Sequence, residues 1–218
     1  MGKDKLKRFK EIAEFSNVFE LEPIHKGAWA KNYFKNDHPI VLELGCGRGE
    51  YTVNLAEQYP SKNFIGIDIK GARIWRGAKT ALENKMPNVA FLRIEIESIL
   101  AHFDSAEIAE IWITFPDPQP QISRERKRLT SNRFLAYYKT ILQPNGIVHL
   151  KTDSDALYEY TKELLLSQAI KIIADTSDLY QDEMLDDLLR IQTTYEKKYL
   201  ALGKNINYLK FSFDESRS

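Results

Sequence analysis

Three glycines at alternate positions, Gly45, Gly47 and Gly49, end an apolar run that starts at Ile40. Glycines at this spacing allow a tight turn with positive φ and let a ligand approach the backbone closely. The apolar run predicts a buried strand, and the apolar spacing from Tyr51 onwards predicts a helix after the loop. A strand, a glycine loop and a helix in this order are typical of a nucleotide-type site.

Carboxylates around this loop indicate which nucleotide it would hold. A dinucleotide fingerprint would have its third glycine where this chain has Glu50, and Glu43 ends the strand. Two carboxylates would repel a pyrophosphate but suit the cationic sulfonium and ammonium groups of S-adenosylmethionine. A second predicted strand, Asn63 to Ile67, ends in Asp68, at about the 20-residue separation that lets a carboxylate bind both ribose hydroxyls. We predict a methyl-donor site, and the alternative is a tight turn with Asp68 as a helix cap.

A proline-rich loop carries the second group of residues that could do chemistry. The predicted strand Glu110 to Thr114 leads into Phe-Pro-Asp-Pro-Gln-Pro at 115–120, where the prolines exclude helix and strand. This loop would hold Asp117 rigidly at the carboxyl edge of the sheet, as a catalytic carboxylate requires. Cations follow that could neutralise several phosphates together. They are Arg124, Arg126, Lys127 and Arg128. The alternatives are that Asp117 is a turn residue and that the four cations form a solvated helix start.

The elements that would position these residues alternate between strands and helices. Further strands are predicted at 89–94, 147–151, 169–174 and 207–213. Helices are predicted at 4–15, 71–85, 131–142, 156–166 and 188–202. The residues 144–146 predict a turn, Asp153 is expected to be an N-cap, and helical spacing puts Trp75 in the core. Glu95 follows the third strand and would either accept a hydrogen bond from the adenine amine or cap a helix.

Length and composition fit one α/β domain, or one domain with an extension. The chain has 218 residues with 31 basic and 31 acidic side chains, so any nucleic-acid site must be a local patch. Cys46 is the only cysteine and the four histidines lack ligand spacing, so no metal is predicted. The N-terminus lacks the apolar core of a signal peptide, so we expect a cytoplasmic protein without a membrane partner. Five of the first ten residues are basic, which fits either a solvated helix face or a phosphate contact.

Several motifs together resemble the bacterial tRNA (guanine-N7) methyltransferases of the TrmB type, which are class I S-adenosylmethionine-dependent enzymes. These motifs are Leu-Glu-Leu-Gly-Cys-Gly-Arg-Gly, Ile-Gly-Ile-Asp, Phe-Pro-Asp-Pro with a following Arg-Lys-Arg-Leu-Thr, Leu-Lys-Thr-Asp, and Thr-Thr-Tyr-Glu-Lys-Lys-Tyr. The resemblance implies a Rossmann-like α/β fold with a seven-stranded, mostly parallel sheet, an antiparallel last strand and helices on both faces. Residues 1–39 would be an N-terminal extension and residues 40–218 the methyltransferase domain.

The resemblance also implies a cofactor, a partner and site residues. S-adenosylmethionine would be the cofactor, tRNA the partner, and N7 of guanine 46 in the variable loop the methyl acceptor, in a monomer or a homodimer. The implied cofactor contacts are Glu43, Asp68, Glu95 and Asp117, with Asp117 also catalytic. The implied substrate contacts are Gln121, Asp153, Thr193, Thr194, Tyr195 and Glu196. Gln119, Gln121, Ile122 and Arg124 replace the family's usual Trp, Lys, Lys and His, so substrate binding would be weaker or relocated.

Three other functions fit part of the sequence. A class I methyltransferase for a small molecule or a protein fits the zero net charge, and a non-catalytic tRNA-binding protein fits the missing Trp and Lys residues. An NAD-dependent oxidoreductase is disfavoured by Glu50. Enzymes that methylate exocyclic amines typically carry Asn-Pro-Pro-aromatic after the fourth strand, whereas this chain has Pro-Asp-Pro-Gln.

Overall fold

The computed structural model describes residues 2–213, with side chains from residue 5 onwards. The chain divides into two compact units, Met1–Asp104 and Ser105–Ser218.

The first unit is built on parallel strands. Its strands are β1 (Val18–Glu20), β2 (Ile40–Leu44), β3 (Asn63–Ile67) and β4 (Val89–Arg93), and its helices are α1 (Gly2–Ile12), α2 (Glu50–Gln58), α3 (Gly71–Glu83) and α4 (Ile99–His102). The strands pair in the order β1-β4-β3-β2. Every residue of β2 and β3 is buried, as expected for strands covered on both faces. The carboxyl ends of parallel strands share one edge, so the glycine loop and Asp68 leave the sheet side by side.

The second unit combines parallel and antiparallel pairing. Its strands are β5 (Ile108–Thr114), β6 (Leu142–Thr152), β7 (Lys171–Thr176) and β8 (Asn207–Ser212), and its α-helices are α5 (Asn132–Ile141), α6 (Asp155–Ser167) and α7 (Thr194–Ala201). The order is β5-β6-β8-β7. Strands β5 and β6 are parallel, whereas β8 is antiparallel to both of its neighbours. The predicted antiparallel last strand is confirmed.

Residues 2–213 contain eight strands, one more than the seven expected. The additional strand is β1, whose three half-buried residues pair with β4 and show no apolar alternation that could have predicted it. The turn predicted at 144–146 lies within the bounds of β6, between the pairs Ile108–Leu142 and Glu110–Ile147, where the register with β5 shifts. Asn145 in this stretch has a left-handed φ of 61°, so the turn is a local interruption of the pairing.

Two further predictions about local structure are wrong. The helix expected at 188–202 begins only at Thr194, because the carbonyl groups of Leu189 and Ile191 accept hydrogen bonds from Lys151 instead of continuing a helix. Trp75 is half-exposed rather than part of the core, because its indole N–H donates to Glu11 of α1. Aromatic residues with a polar tip commonly lie at such a boundary.

Candidate functional site

The glycine loop between β2 and α2 forms an open cradle. Gly45, Gly47 and Gly49 have φ values of 73°, 56° and 68°, the left-handed region that favours glycine. A Cβ atom at Gly49 would overlap the ring of Phe91, whereas one at Gly47 would meet nothing closer than the Gly45 carbonyl oxygen at 3.9 Å. Packing therefore requires glycine at position 49, and Gly47 leaves room for a ligand against the backbone.

The carboxylate of Asp68, which follows β3, is joined to this loop. Its Oδ2 accepts a hydrogen bond from the Gly47 N–H at 3.0 Å, and its Oδ1 accepts one from the Lys70 N–H at 2.7 Å. Each carboxylate oxygen can accept a second hydrogen bond, so Asp68 keeps capacity for ligand hydroxyls. Burial, reinforced by the carboxylates of Glu43 and Asp68, raises the pKa of the Cys46 thiol, which makes that thiol a neutral loop residue.

Glu43 and Glu95 lie at the same edge of the sheet but in different surroundings. Glu43 is 3% exposed, and its Oε2 accepts hydrogen bonds from the N–H of Thr52, at 2.9 Å, and from the Thr52 hydroxyl. It therefore joins the end of β2 to the first turn of α2. Glu95 is exposed, and its backbone carbonyl, not its carboxylate, accepts the Ser98 N–H at 2.9 Å. Glu95 thus occupies the N-cap position of the 3₁₀ helix Ile96–Ser98, but its side chain makes no capping hydrogen bond.

In the second unit, Asp117 lies in an exposed loop with a constrained backbone. The Phe115 N–H donates to the Lys151 carbonyl oxygen at 2.8 Å, which fixes the start of the loop to β6. Oδ1 of Asp117 accepts the Gln119 N–H at 3.1 Å. Phe115 and Gln119 have φ values of 49° and 44°, a left-handed conformation that costs free energy in residues with a Cβ. The loop therefore has little conformational freedom.

The four cations that follow this loop do not share one environment. Arg124, Arg126 and Lys127 are exposed on the short 3₁₀ helix Ile122–Lys127. Arg128 is half-buried, donates from Nε to the Gln119 carbonyl oxygen at 3.2 Å, and lies 4.2 Å from the centroid of the Tyr160 ring. Arg128 thus fixes the Asp117 loop to α6, whereas the other three cations face solvent.

A buried ion pair connects β6 with α7. Lys151 Nζ lies 2.6 Å from Glu196 Oε1 and also donates to the carbonyl oxygens of Leu189 at 2.9 Å and Ile191 at 3.3 Å. Tyr180 donates its hydroxyl to the same Glu196 oxygen at 2.9 Å. The other oxygen, Oε2, is buried and has no hydrogen-bond partner among residues 5–213. Burial raises the pKa of Glu196 and lowers the pKa of Lys151, because it disfavours both charged forms.

The remaining predicted substrate residues are not members of this pair. The Thr193 hydroxyl accepts the Glu196 N–H at 3.1 Å, so Thr193 caps α7 and positions Glu196. Thr194, Tyr195 and Gln121 are exposed. The prediction that Asp153 caps α6 is wrong, because the Ser154 hydroxyl accepts the Leu157 N–H at 3.3 Å and Asp153 pairs with Lys204 at 2.6 Å.

Sequence analysis missed three residues that hold these groups in place. Lys151 is a lone lysine at the end of an apolar strand, and that position was the available signal for a buried, paired cation. Thr52, which binds Glu43, and Tyr180, which binds Glu196, gave no signal of their own.

Within residues 2–213, no three His, Cys, Asp or Glu side chains come together as metal ligands. No helix of that same stretch has the length and apolarity to cross a membrane.

The fold matches solved methyltransferases. The 16S rRNA methyltransferase KamB superposes with a TM-score of 0.65 at 15% identity, covering 86% of this chain and 93% of that one. The 16S rRNA (adenine(1408)-N(1))-methyltransferase from Catenulisporales acidiphilia gives 0.64 at 15% identity, covering 91% and 96%. Residues 37–209 match the family model described as "Putative methyltransferase". The predicted class I, Rossmann-like α/β fold is confirmed, and the chain is a methyltransferase of that class.

Close relatives define the family. A tRNA (guanine-N(7)-)-methyltransferase from Christiangramia forsetii is 53% identical over 96% of this chain and 98% of the relative. The enzyme of the same name from Bacteroides thetaiotaomicron is 48% identical over 97% of this chain and 86% of the relative. The chain belongs to the family of the tRNA (guanine-N(7)-)-methyltransferases, as its motifs predicted.

Proposed function

We propose that the chain transfers the methyl group of S-adenosylmethionine to N7 of a guanine in tRNA, at position 46 of the variable loop. The observation that carries the proposal is the 53% identity, over nearly the whole of both chains, to a relative named for guanine-N7 methylation of tRNA. The rRNA methyltransferase from Catenulisporales acidiphilia that shares the fold was also solved as a variant with S-adenosylmethionine as cosubstrate.

The glycine loop and the carboxylates beside it suit this cofactor. The open space at Gly47 admits a ligand against the backbone, and Asp68 has acceptor capacity for ribose hydroxyls. An acidic surrounding fits a cationic sulfonium better than a phosphate. We assign Glu43, Gly45, Gly47, Gly49, Asp68, Glu95 and Asp117 to cofactor binding, with Glu43 acting through Thr52 and the first turn of α2.

We assign the guanine to the residues around Glu196. The Watson–Crick edge of guanine presents N–H donors, and proteins read exposed bases by hydrogen bonds to that edge. The Oε2 atom of Glu196 is an acceptor without a partner among the described residues. Because Glu196 is fully buried, a base can reach it only when the residues that cover it move. Gln121, Asp153 and Thr193 to Tyr195 complete the proposed substrate contacts.

Methyl transfer to guanine N7 needs little from the protein beyond the positioning of the two reactants. S-adenosylmethionine, when bound, supplies a methyl group on a sulfonium. Guanine N7 carries a free lone pair, so no residue needs to remove a proton, and alignment of the two groups can supply most of the acceleration. The guanine becomes cationic as the new bond forms, and the rigidly held Asp117 carboxylate would stabilise that charge.

The other parts of the proposal concern tRNA and the chain's organisation. Arg124, Arg126, Lys127 and Arg128 would contact backbone phosphates, with the three exposed cations contributing most. We place the reaction in the cytoplasm, where a bacterial cell keeps its tRNA. We also divide the chain into an extension, residues 1–39, and a methyltransferase domain, residues 40–218, which is supported by a family match that begins at residue 37.

Nucleoside analysis tests the proposal against its rivals. Unmodified tRNA is incubated with the chain and labelled S-adenosylmethionine, digested and separated. We expect the label in 7-methylguanosine. Label in another nucleoside, or none despite tRNA binding, would contradict the proposal, and the second result would favour a non-catalytic tRNA-binding protein. Transfer of label to small molecules or proteins without transfer to tRNA would favour a class I methyltransferase for one of those substrates.

A further inference from the structure

Helices α1 and α3 of the first unit present a surface rich in cations around a half-exposed tryptophan. The two helices pack together, with Ile12 buried against Gly71, where a Cβ atom would lie only 2.6 Å from the Ile12 side chain. The residues of this cation–indole surface are Lys5, Lys7, Arg8 and Lys10 of α1 and Arg73, Trp75, Arg76 and Lys79 of α3. All seven cations are exposed except Lys79, which is half-exposed.

The Trp75 ring contacts two of these cations, one from each helix. The guanidinium carbon of Arg8 lies 4.8 Å from the indole, and Lys79 Nζ lies 5.0 Å from it. The indole N–H donates to Glu11 at 2.5 Å, which fixes the ring. Cation–π attraction at exposed sites is worth about 0.5–1 kcal/mol per cation, so both side chains have preferred positions beside the ring. A cation with a preferred position loses less conformational freedom when a phosphate binds it.

The local charge is far from that of the whole chain. The chain has equal numbers of basic and acidic residues, whereas the described side chains of these two helices include seven cations and two carboxylates, Glu11 and Glu83. Glu11 accepts the Trp75 N–H and lies 3.8 Å from Lys7. Arg73, Arg76 and Lys79 are three residues apart in turn, so they lie along one row of α3. Arg73 and Arg76 make no ion pair within the described part of the chain. A row of unpaired cations matches the repeating charge of a nucleic-acid backbone.

We infer that the cation–indole surface is a second contact for tRNA backbone phosphates, separate in the chain from the Arg124 to Arg128 stretch. The inference rests on the proposed function for the identity of the polyanion. It gives the N-terminal helix a role in substrate affinity rather than in chemistry. Phosphate contacts fix the position of a nucleic acid without reading its sequence, so this surface would contribute equally to all tRNAs.

Salt-dependent tRNA binding tests the surface directly. The triple variant Arg8→Gln, Arg76→Gln, Lys79→Gln is compared with the control Lys31→Gln, Lys139→Gln, Lys171→Gln, which removes the same charge from three exposed sites elsewhere. For the first variant we expect affinity at low salt to fall about tenfold and the slope of log K against log[salt] to decrease by about 3, one phosphate per cation. The control should show a smaller decrease in the slope of log K against log[salt] than the first variant. Equal slopes for both variants would overturn the inference.

Two variants of Trp75 separate its role from packing. Trp75→Phe keeps an aromatic face for the cations, so the parent salt slope is expected, whereas Trp75→Leu should lower the slope. A Trp75→Leu variant that is less stable but binds tRNA with the parent slope would overturn the role of the indole. Turnover at saturating tRNA should be unchanged in every variant.

The two proposals can fail separately. Parent protein that binds tRNA through this surface without methylating it would contradict the proposed function alone. Normal methylation by the parent, with salt slopes of tRNA binding that the surface variants leave unchanged, would contradict this inference alone.

Discussion

Lys151 and Glu196 form a fully buried ion pair, with the ammonium nitrogen 2.6 Å from the carboxylate Oε1. The pair joins the end of β6 to the first turn of α7 and draws in the carbonyl groups of Leu189 and Ile191. An unpaired buried charge destabilises the folded state, so each residue of the pair lowers the free-energy cost of burying the other. The acceptor proposed for guanine is therefore held by a lysine whose own role is positional.

Removing one member of the pair should destabilise the fold strongly. Glu196→Gln leaves the Lys151 ammonium buried without a counter-charge, which we expect to lower the free energy of unfolding by about 3 kcal/mol. Urea denaturation measures this change, and Glu159→Gln on the exposed side of α6 is the control. The double variant Lys151→Met, Glu196→Met should regain most of the stability but not the activity. A double variant as unstable as the single one would contradict this account.

The pair should also give stability a defined pH dependence. The pKa of Glu196 is raised above its ordinary value of 4.5, so its contribution is fully present below pH 4.5 and is lost as pH rises through the folded-state pKa. The pKa of Lys151 is lowered from 10.5, so its contribution is fully present above pH 10.5 and is lost as pH falls through the folded-state pKa. The free energy of unfolding of the parent minus that of the Lys151→Met, Glu196→Met variant should thus be lowest at intermediate pH. A difference that is largest there would show that the attraction outweighs the cost of burial.

Asp117→Asn tests the catalytic carboxylate. The amide keeps the size of the side chain and the acceptor for the Gln119 N–H, so the loop should keep its shape. Loss of the negative charge should lower turnover by about 10²-fold, with tRNA affinity nearly unchanged. Single-turnover methyl transfer measures the effect, with Asp37→Asn as an exposed control. Near-normal turnover would exclude Asp117 as the group that stabilises the cationic guanine.

Arg128 and Arg124 should give opposite results although both were predicted to bind phosphate. Arg128 donates to the Gln119 carbonyl and packs on Tyr160, so Arg128→Gln should loosen the Asp117 loop and lower turnover with little change in the salt slope. Arg124 is exposed, so Arg124→Gln should reduce the salt slope of tRNA binding by about 1 and leave turnover unchanged. The reverse pattern would make Arg128 a main phosphate contact and remove its role in the loop.

Sequence alone predicted the parts of this molecule that local pattern determines. The bounds of β3 agree with the prediction because four consecutive apolar or small residues, 64–67, follow Asn63 and end at a carboxylate. The Lys151–Glu196 pair could not be predicted, since its members are far apart in the chain and only the fold brings them together. The helix predicted at 188–202 was too long because apolar spacing cannot show that Lys151 captures two carbonyl groups. Trp75 was assigned to the core because periodicity does not distinguish packed indoles from half-exposed ones.

The most direct test of the central claim uses two tRNA transcripts that differ only at position 46, guanine in one and adenine in the other. Each is incubated with the chain and S-adenosylmethionine labelled in its methyl group, and incorporation into RNA is measured. We predict label in the guanine transcript alone. Equal label in both would show methylation at another site, and no label in either, with tRNA still bound, would contradict methyl transfer to tRNA.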